Sequence, residues 1–315
     1  MSGTIAVIGE AVGDAIVEAD PVAGLRLRVL PGGGPVNTAV ALSRLGTPTK
    51  YLGRLASGTI GNLLRSHLVD SRVDLSAAVE AAEPASLAIA TITPEGHASY
   101  DFYVEGTADW QWTEDELAAW NQANTSAIHA GSLALAQQPG AALIERLLEQ
   151  ARTRVTVCID PNVRLSLVPA SFYREAMPRW ASIADIIRLS NDDLATVMPG
   201  VGVAEACSRW HAAGASLVVV TLGGNGVYAS LRGEAVTVET PPITPVDTVG
   251  AGDTFTAGML HTLNRANALG GRLSDLSTAD LRTALLFGVG AAAVVCQRAG
   301  ADPPWADELD LVRAL

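Results

Sequence analysis

The sequence predicts an α/β fold with a mainly parallel central sheet flanked by helices and a small additional β-sheet. Three observations carry this. Short apolar runs alternate with helical patterns along most of the chain; those runs are apolar nearly throughout, as strands buried on both faces are; and two half-polar stretches interrupt the alternation. The clearest strands are 4–9, 49–53, 154–160, 185–189 and 217–221. Helical patterns cover 36–45, 141–152 and 204–213, with a last one near 278–297. The interruptions, 15–31 and 86–108, read as antiparallel strands, with turn chemistry at Pro94-Glu95-Gly96. They predict a separate small sheet acting as a lid; the alternative is an edge extension of the main sheet. No internal repeat or low-complexity linker divides the 315 residues, so one domain over 1–315 is expected.

Composition narrows the function classes. Nearly half the residues are apolar, enough for a large core. A formal net charge of −12 argues against a nucleic-acid surface, which needs a basic face. No apolar run approaches the roughly 20 residues that span a bilayer, and the amino terminus reads as a strand, so a soluble cytoplasmic protein without membrane contact is expected. Cys158, Cys207 and Cys296 are widely spaced and read as buried thiols. His67, His97, His129, His211 and His261 show no ligand spacing. Lys50 is the only lysine, and no glycine loop precedes it. A Walker-type phosphate loop is therefore excluded, and phosphate would have to be held by backbone N–H groups, arginine and metal.

The segment DTVGAGDTF (247–255) supplies such a cradle. Phe255, Met259, Leu260 and Leu263 share a helical face, so the helix opens at Gly252 or Asp253. Small residues at 250–252 let N–H groups approach an anion where the helix dipole is positive. Asp253 beside them can take a proton from an attacking hydroxyl; alternatively it only favours the helix start. In GGGPVNTA (32–39) a glycine turn runs directly into an apolar helix, and the Asn37 amide can donate and accept to hydroxyl groups.

These two segments, in this order and spacing, resemble the two signature motifs of the PfkB/ribokinase family of carbohydrate kinases, and the resemblance covers essentially the whole chain. It implies a ribokinase-like fold and phosphoryl transfer from ATP with Mg²⁺. It further implies Asp253 as catalytic base, Gly250, Ala251 and Gly252 as anion hole, and Asp14, Gly33, Gly34 and Asn37 as sugar contacts. TLGGNG (221–226) resembles the family's nucleotide loop, which implies ATP contacts at Thr221, Gly223 and Gly226, with Gly252. DPNVR (160–164) resembles a motif of fructokinases; Arg164 is expected at the substrate, or in an ion pair with Asp160. SNDD (190–193) stands where relatives carry an NxxE motif linked to Mg²⁺, which implies Asp193 as the metal-organising carboxylate, acting directly or through water. ASGTIG (56–61) lacks the two carboxylates of the family's GDDxxG. Carbonyls around Asp247 and 298–300 are candidates for a monovalent cation such as K⁺.

YDFYVEGTAD (100–109) resembles the lid segment of fructokinases and ketodeoxygluconate kinases, with Val104 where an arginine is common. The expected substrate is therefore a neutral sugar, packed by Phe102 and Tyr103, and the resemblance of DPNVR to the fructokinase motif puts fructose first. Ribose, a nucleoside, or a catalytically silent sugar-binding protein are the alternatives. The exposed edge and half-apolar face of the lid invite a homodimer.

Overall fold

Residues 3–20, 24–92 and 98–313 are described by the structure, a computed structural model. Strand β1 (Thr4–Ile8) is followed by the antiparallel pair β2 (Val12–Asp20) and β3 (Gly24–Gly32) and by helix α1 (Gly34–Arg44). Next come β4 (Thr49–Leu52), β5 (Arg54–Ala56), α2 (Thr59–Asp70), β6 (Val79–Ala81), β7 (Ser86–Ile92) and β8 (Ala98–Tyr103). The middle of the chain forms α3 (Glu114–Ala118), β9 (Thr125–Gly131), α4 (Gly140–Ala151), β10 (Thr156–Asp160), α5 (Ala170–Ile183), β11 (Ile186–Ser190) and α6 (Asn191–Val197). It ends with α7 (Val203–Ala213), β12 (Leu217–Thr221), β13 (Val227–Leu231), β14 (Glu234–Val238), α8 (Ala251–Arg265), α9 (Thr278–Val295) and α10 (Ala306–Arg313).

The main sheet has the order β14-β13-β12-β11-β10-β9-β1-β4. From β12 to β4 the strands are parallel, and β13 and β14 add an antiparallel margin. Both faces are covered. Ile5, Val7, Val36, Phe255 and Leu285 share one apolar cluster with α1, α8 and α9. Ile8, Ile128, Ile144, Trp180 and Trp210 share the other with α4, α5 and α7. The parallel strands end together, so the loops after β1, β9, β10, β11 and β12 gather along one edge, where α/β sheets place their ligands.

β2, β3, β7 and β8 form a separate four-stranded sheet in the order β3-β2-β7-β8. The two outer pairs are antiparallel as read from the sequence, but the central β2–β7 pair is parallel. The expected turn at 94–96, and His97, lie outside the described residues.

Helix α8 carries the glycine-rich segment at its start and is held tightly along its length. A Cβ at Gly258 would stand 2.8 Å from Gly288 Cα, and one at Gly288 would stand 2.8 Å from Phe255 O, so α8 and α9 touch backbone to backbone. Among the described residues α9 is also the one helix long and apolar enough to cross a membrane by length and composition. The sequence reading had found no such run. Here α9 packs on α8 and β14 as a core helix. Cys158, Cys207 and Cys296 are free and buried, as expected.

Candidate active site

Glycine geometry defines the cleft at the carboxyl edge. Gly250 caps α8 in the left-handed region (φ 75°), and a side chain there would collide with Ala301. Ala251 N–H donates to Thr248 O, and the next N–H groups of the first turn, those of Gly252 and Asp253, have no intrahelical partner at the positive end of the helix dipole. Gly33 precedes α1 at φ 103°, pressed against Glu10 O, and Pro35 pre-sets the first turn of α1.

Two of the remaining glycines leave room for chemistry. A side chain at Gly34 would stand 2.8 Å from Asn162 Nδ2 and 3.4 Å from Asp253 Oδ1, so its absence opens the space in front of the carboxylate. At Gly32 the missing side chain's place is taken by the Asp14 carboxylate.

Asp253 lies in the first turn of α8 and accepts a hydrogen bond from Asn37 Nδ2 at 2.9 Å. Burial pushes its pKa up to about 6, against the lowering effect of that bond; Asp160 adds to the rise, and Arg188 and Arg164 oppose it. Asp14 is likewise pushed up to about 6 by burial and held down by Arg164. Arg164 itself is exposed, donates to Val163 O and makes no ion pair with Asp160.

Asp160 is instead paired with Arg188, Nη1 to Oδ2 at 2.6 Å, both buried. Arg188 Nη2 also donates to Thr221 Oγ1 at 2.9 Å, at the start of the expected nucleotide loop. Arg188 was missed in the sequence, although its signal was present: one arginine inside the apolar run Ile186-Ile187-Arg188-Leu189.

Asp193 has a structural task. With Ser190 it forms the capping box of α6, and its Oδ1 accepts from Val163 N–H at 3.1 Å, holding the 160–164 turn. Burial raises its pKa and neighbouring Asp160 raises it further. Gly223 (φ 58°) has open space around it, whereas Gly226 is required by the close backbone of Val238 on the next strand. Asp247 accepts N–H bonds from Val249 and Gly300, which brings the 298–300 loop against the cradle.

The accessory sheet separates two residues that were expected to act together. Paired residues share a face, so Asp14, Ala88 and Phe102 point together, with Tyr100 stacked on Phe102. Tyr103 is the next residue along β8 and faces the other way, the side where Gly13 meets Leu87, Val29 and Ile60 of α2. Only Phe102 of the pair is on the Asp14 face.

The join between the sheets was also missed. Asp109, buried, accepts from Ala11 N–H at 2.7 Å and Ser86 Oγ at 2.6 Å, tying the exit of β1 to β7. Burial pushes Asp109 to about 6 and neighbouring Glu10 to about 7.

A glycine-built helix start and two carboxylates raised in pKa by burial, Asp253 and Asp14, thus stand at the ends of the parallel strands, and the class of protein follows from its relatives. The chain belongs to the pfkB family of carbohydrate kinases, whose model matches residues 2–308. It is 32% identical to a fructokinase of Klebsiella pneumoniae over 98% of this chain and 99% of that one. A fructokinase of Rhizobium leguminosarum bv. trifolii is 34% identical over 76% of this chain and 73% of its own. Among solved structures, the fructokinase with bound ATP from Xylella fastidiosa superposes with a TM-score of 0.87 over the full length of both chains, at 24% identity. A double mutant of the fructokinase of Vibrio cholerae O395, with fructose, ADP and potassium ion bound, reaches a TM-score of 0.82 over 95% of this chain and 94% of that one, at 24% identity. These two likenesses are of fold.

Proposed function

We propose that the protein transfers the γ-phosphoryl group of ATP to a hydroxyl of fructose. The observation that carries this reading is the open space at Gly34, with Asn162 on one side and the Asn37-bonded Asp253 on the other. A sugar hydroxyl there meets a base at the positive end of α8. The γ-phosphoryl group moves in line from the leaving oxygen of ADP to the sugar oxygen as Asp253 takes the hydroxyl proton, with charge spread over oxygens that the N–H groups at the start of α8 stabilise.

The donor is MgATP. Asp193 lies near Asp160 on this edge, and among the described residues no group of three or more potential metal ligands occurs. That fits an ion carried mainly by phosphates, as Mg²⁺ commonly is, with Asp193 acting through water. Activity should vanish in excess EDTA; full activity there would refute a metal-bound donor. A K⁺ ion beside Asp247 and the 298–300 loop is a further part of this reading, tested by the dependence of turnover on KCl.

Fructose rests on the relatives and on charge. Val104 leans on the apolar cluster around Trp110 and offers no cation to an acidic sugar. Burying an unpaired sugar carboxylate would cost several kcal/mol. Phe102 and the Asp14 carboxylate suit a ring with one apolar face and several hydroxyls. kcat/KM across fructose, ribose, adenosine and 2-keto-3-deoxygluconate tests this. Preference for the acid sugar would remove the argument from Val104, and preference for ribose would remove fructose alone. The free edge strand β3, with Leu25 73% exposed, favours pairing of two copies through the accessory sheet, which sedimentation would reveal.

A further inference from the structure

We propose that Arg188 is a positioning residue for phosphoryl transfer, one cation on which the nucleotide-side loop after β12 and the sugar-side turn after β10 are both anchored beneath the start of α8. The inference rests on the reading of the cleft as a kinase site and adds a residue that this reading does not require.

The geometry starts from a charge placed in an apolar strand. Arg188 is 6% exposed, and burial of its charge has to be offset by partners. Asp160 provides this at 2.6 Å, and Thr221 Oγ1 adds a hydrogen bond at 2.9 Å, while Arg188 Nε has no partner. The guanidinium lies 5.7 Å from the centroid of the Phe255 ring. A Cβ at Gly252 would come within 2.8 Å of Nη1 and 2.9 Å of Nη2. Residues from β10, β12 and α8 thus converge on one side chain of β11.

Each partner opens a substrate loop. Asp160 Oδ1 accepts the N–H of Asn162 at 3.0 Å, and Asn162, at φ 37°, presents its amide to the space at Gly34 in front of Asp253. Thr221 is the last residue of β12 and begins the TLGGNG loop. An arginine that only neutralised Asp160 would be replaceable by an apolar pair of similar volume. One that joins both loops is not, because freeing it lets the two substrates drift apart. A misplacement of about 1 Å between reacting groups costs on the order of 10²-fold in rate.

Arg188 also bears on the base. The groups facing Asp253 are Asn37 from α1, Arg188 from β11, Asp160 at the end of β10 and Arg164 in the turn beyond it. Arg188 and Arg164 lower the carboxyl's pKa and Asp160 raises it. Removing Arg188 therefore moves the acid limb of the pH profile upward.

The test compares Arg188→Met, similar in length and uncharged, with Arg188→Lys, charged but without the fork that reaches both partners. For Arg188→Met, kcat should fall by about 10²-fold, KM should rise for both ATP and fructose, and part of the loss should return at alkaline pH. Arg188→Lys should keep the acid limb near its original place yet still show raised KM for both substrates. In an Asp160→Asn background, Arg188→Met should cost much less than alone, because the two side chains act as a unit. A fall in Tm with both KM values and the acid limb unmoved overturns the proposal. Should the methionine variant not fold, unchanged KM values in Arg188→Lys overturn it equally. Asp253→Asn, measured in parallel, isolates the base: near-normal turnover there refutes Asp253 as the proton acceptor and leaves the KM result for Arg188 standing.

Discussion

Two regions border the proposed sugar position, and they are built on opposite principles. At the carboxyl edge of the main sheet almost nothing that would touch substrate is long: glycines, backbone N–H groups, Asn37 and Asp253, all fixed by helix starts and by the buried Arg188–Asp160 pair. The accessory sheet offers side chains from one face, Asp14 and Phe102, and joins the main sheet through the hydrogen bonds of Asp109. The first arrangement suits a transition state, whose charge must be met without reorganisation. The second suits recognition, where packing and hydroxyl contacts sort one sugar from another. Substitutions in the first region should therefore act on kcat, and those in the second on KM.

The largest effect expected is at Asp253. Asp253→Asn keeps the size and removes proton acceptance, so kcat should fall by about 10²-fold or more, with fructose binding by calorimetry intact. Near-normal turnover would break the comparison at its centre. Gly252→Val comes next: its side chain displaces a guanidinium that Asp160 and Thr221 hold in place, and kcat should drop by about tenfold or more, with a smaller change in the KM for fructose.

The pH profile sharpens the same contrast. A base with its pKa raised to about 6 is protonated, and inactive, below that pH. kcat/KM should therefore fall as pH drops through about 6 and level off above it. Asp14, also pushed to about 6, would contribute to the same limb. In Asp14→Asn the limb should persist with raised KM, and its loss would transfer the titration from Asp253 to Asp14. The smallest effect belongs to the accessory sheet: Phe102→Ala should raise the KM for fructose severalfold with kcat little changed, and Tyr103→Ala should leave both near their starting values. Equal effects of the two would break the assignment of faces.

The strands that form the main sheet were legible because a doubly buried strand has to be apolar throughout; Leu217–Thr221 is where the pattern put it. Helix α1 begins two residues before the expected Val36, because Pro35 fits the first turn of a helix and the pattern counts only its apolar face. The β13–β14 pair and the short β5–β6 ladder went unread: β13 and β5 are largely buried but interrupted by Ser230 and opened by Arg54, and β14 and β6 have exposed positions that break the apolar signal. Asp253, Asn37 and the glycines were legible because turns and anion cradles restrict the residues that fit. What is set by tertiary contact was not. The Arg188 anchor, the Asp109 tie and the opposite facing of Tyr103 depend on which strand lies beside which, and β2 and β7 are paired across 74 residues of chain.

The paired glycines where α8 crosses α9 carry a consequence for how this protein tolerates change. Gly258 lies more than a turn beyond Asp253, with no polar group to offer a ligand. Yet a single methyl there meets Gly288 Cα at 2.8 Å, and relief requires one helix to move. A helix moves as a rod, so the carboxylate at its tip travels with it and its 2.9 Å bond to Asn37 is disturbed. In a library of single substitutions scored for growth on the sugar, Gly258 and Gly288 should therefore group with the cleft glycines rather than with the core. Such a map would mark a catalytic constraint along a seam that no substrate reaches.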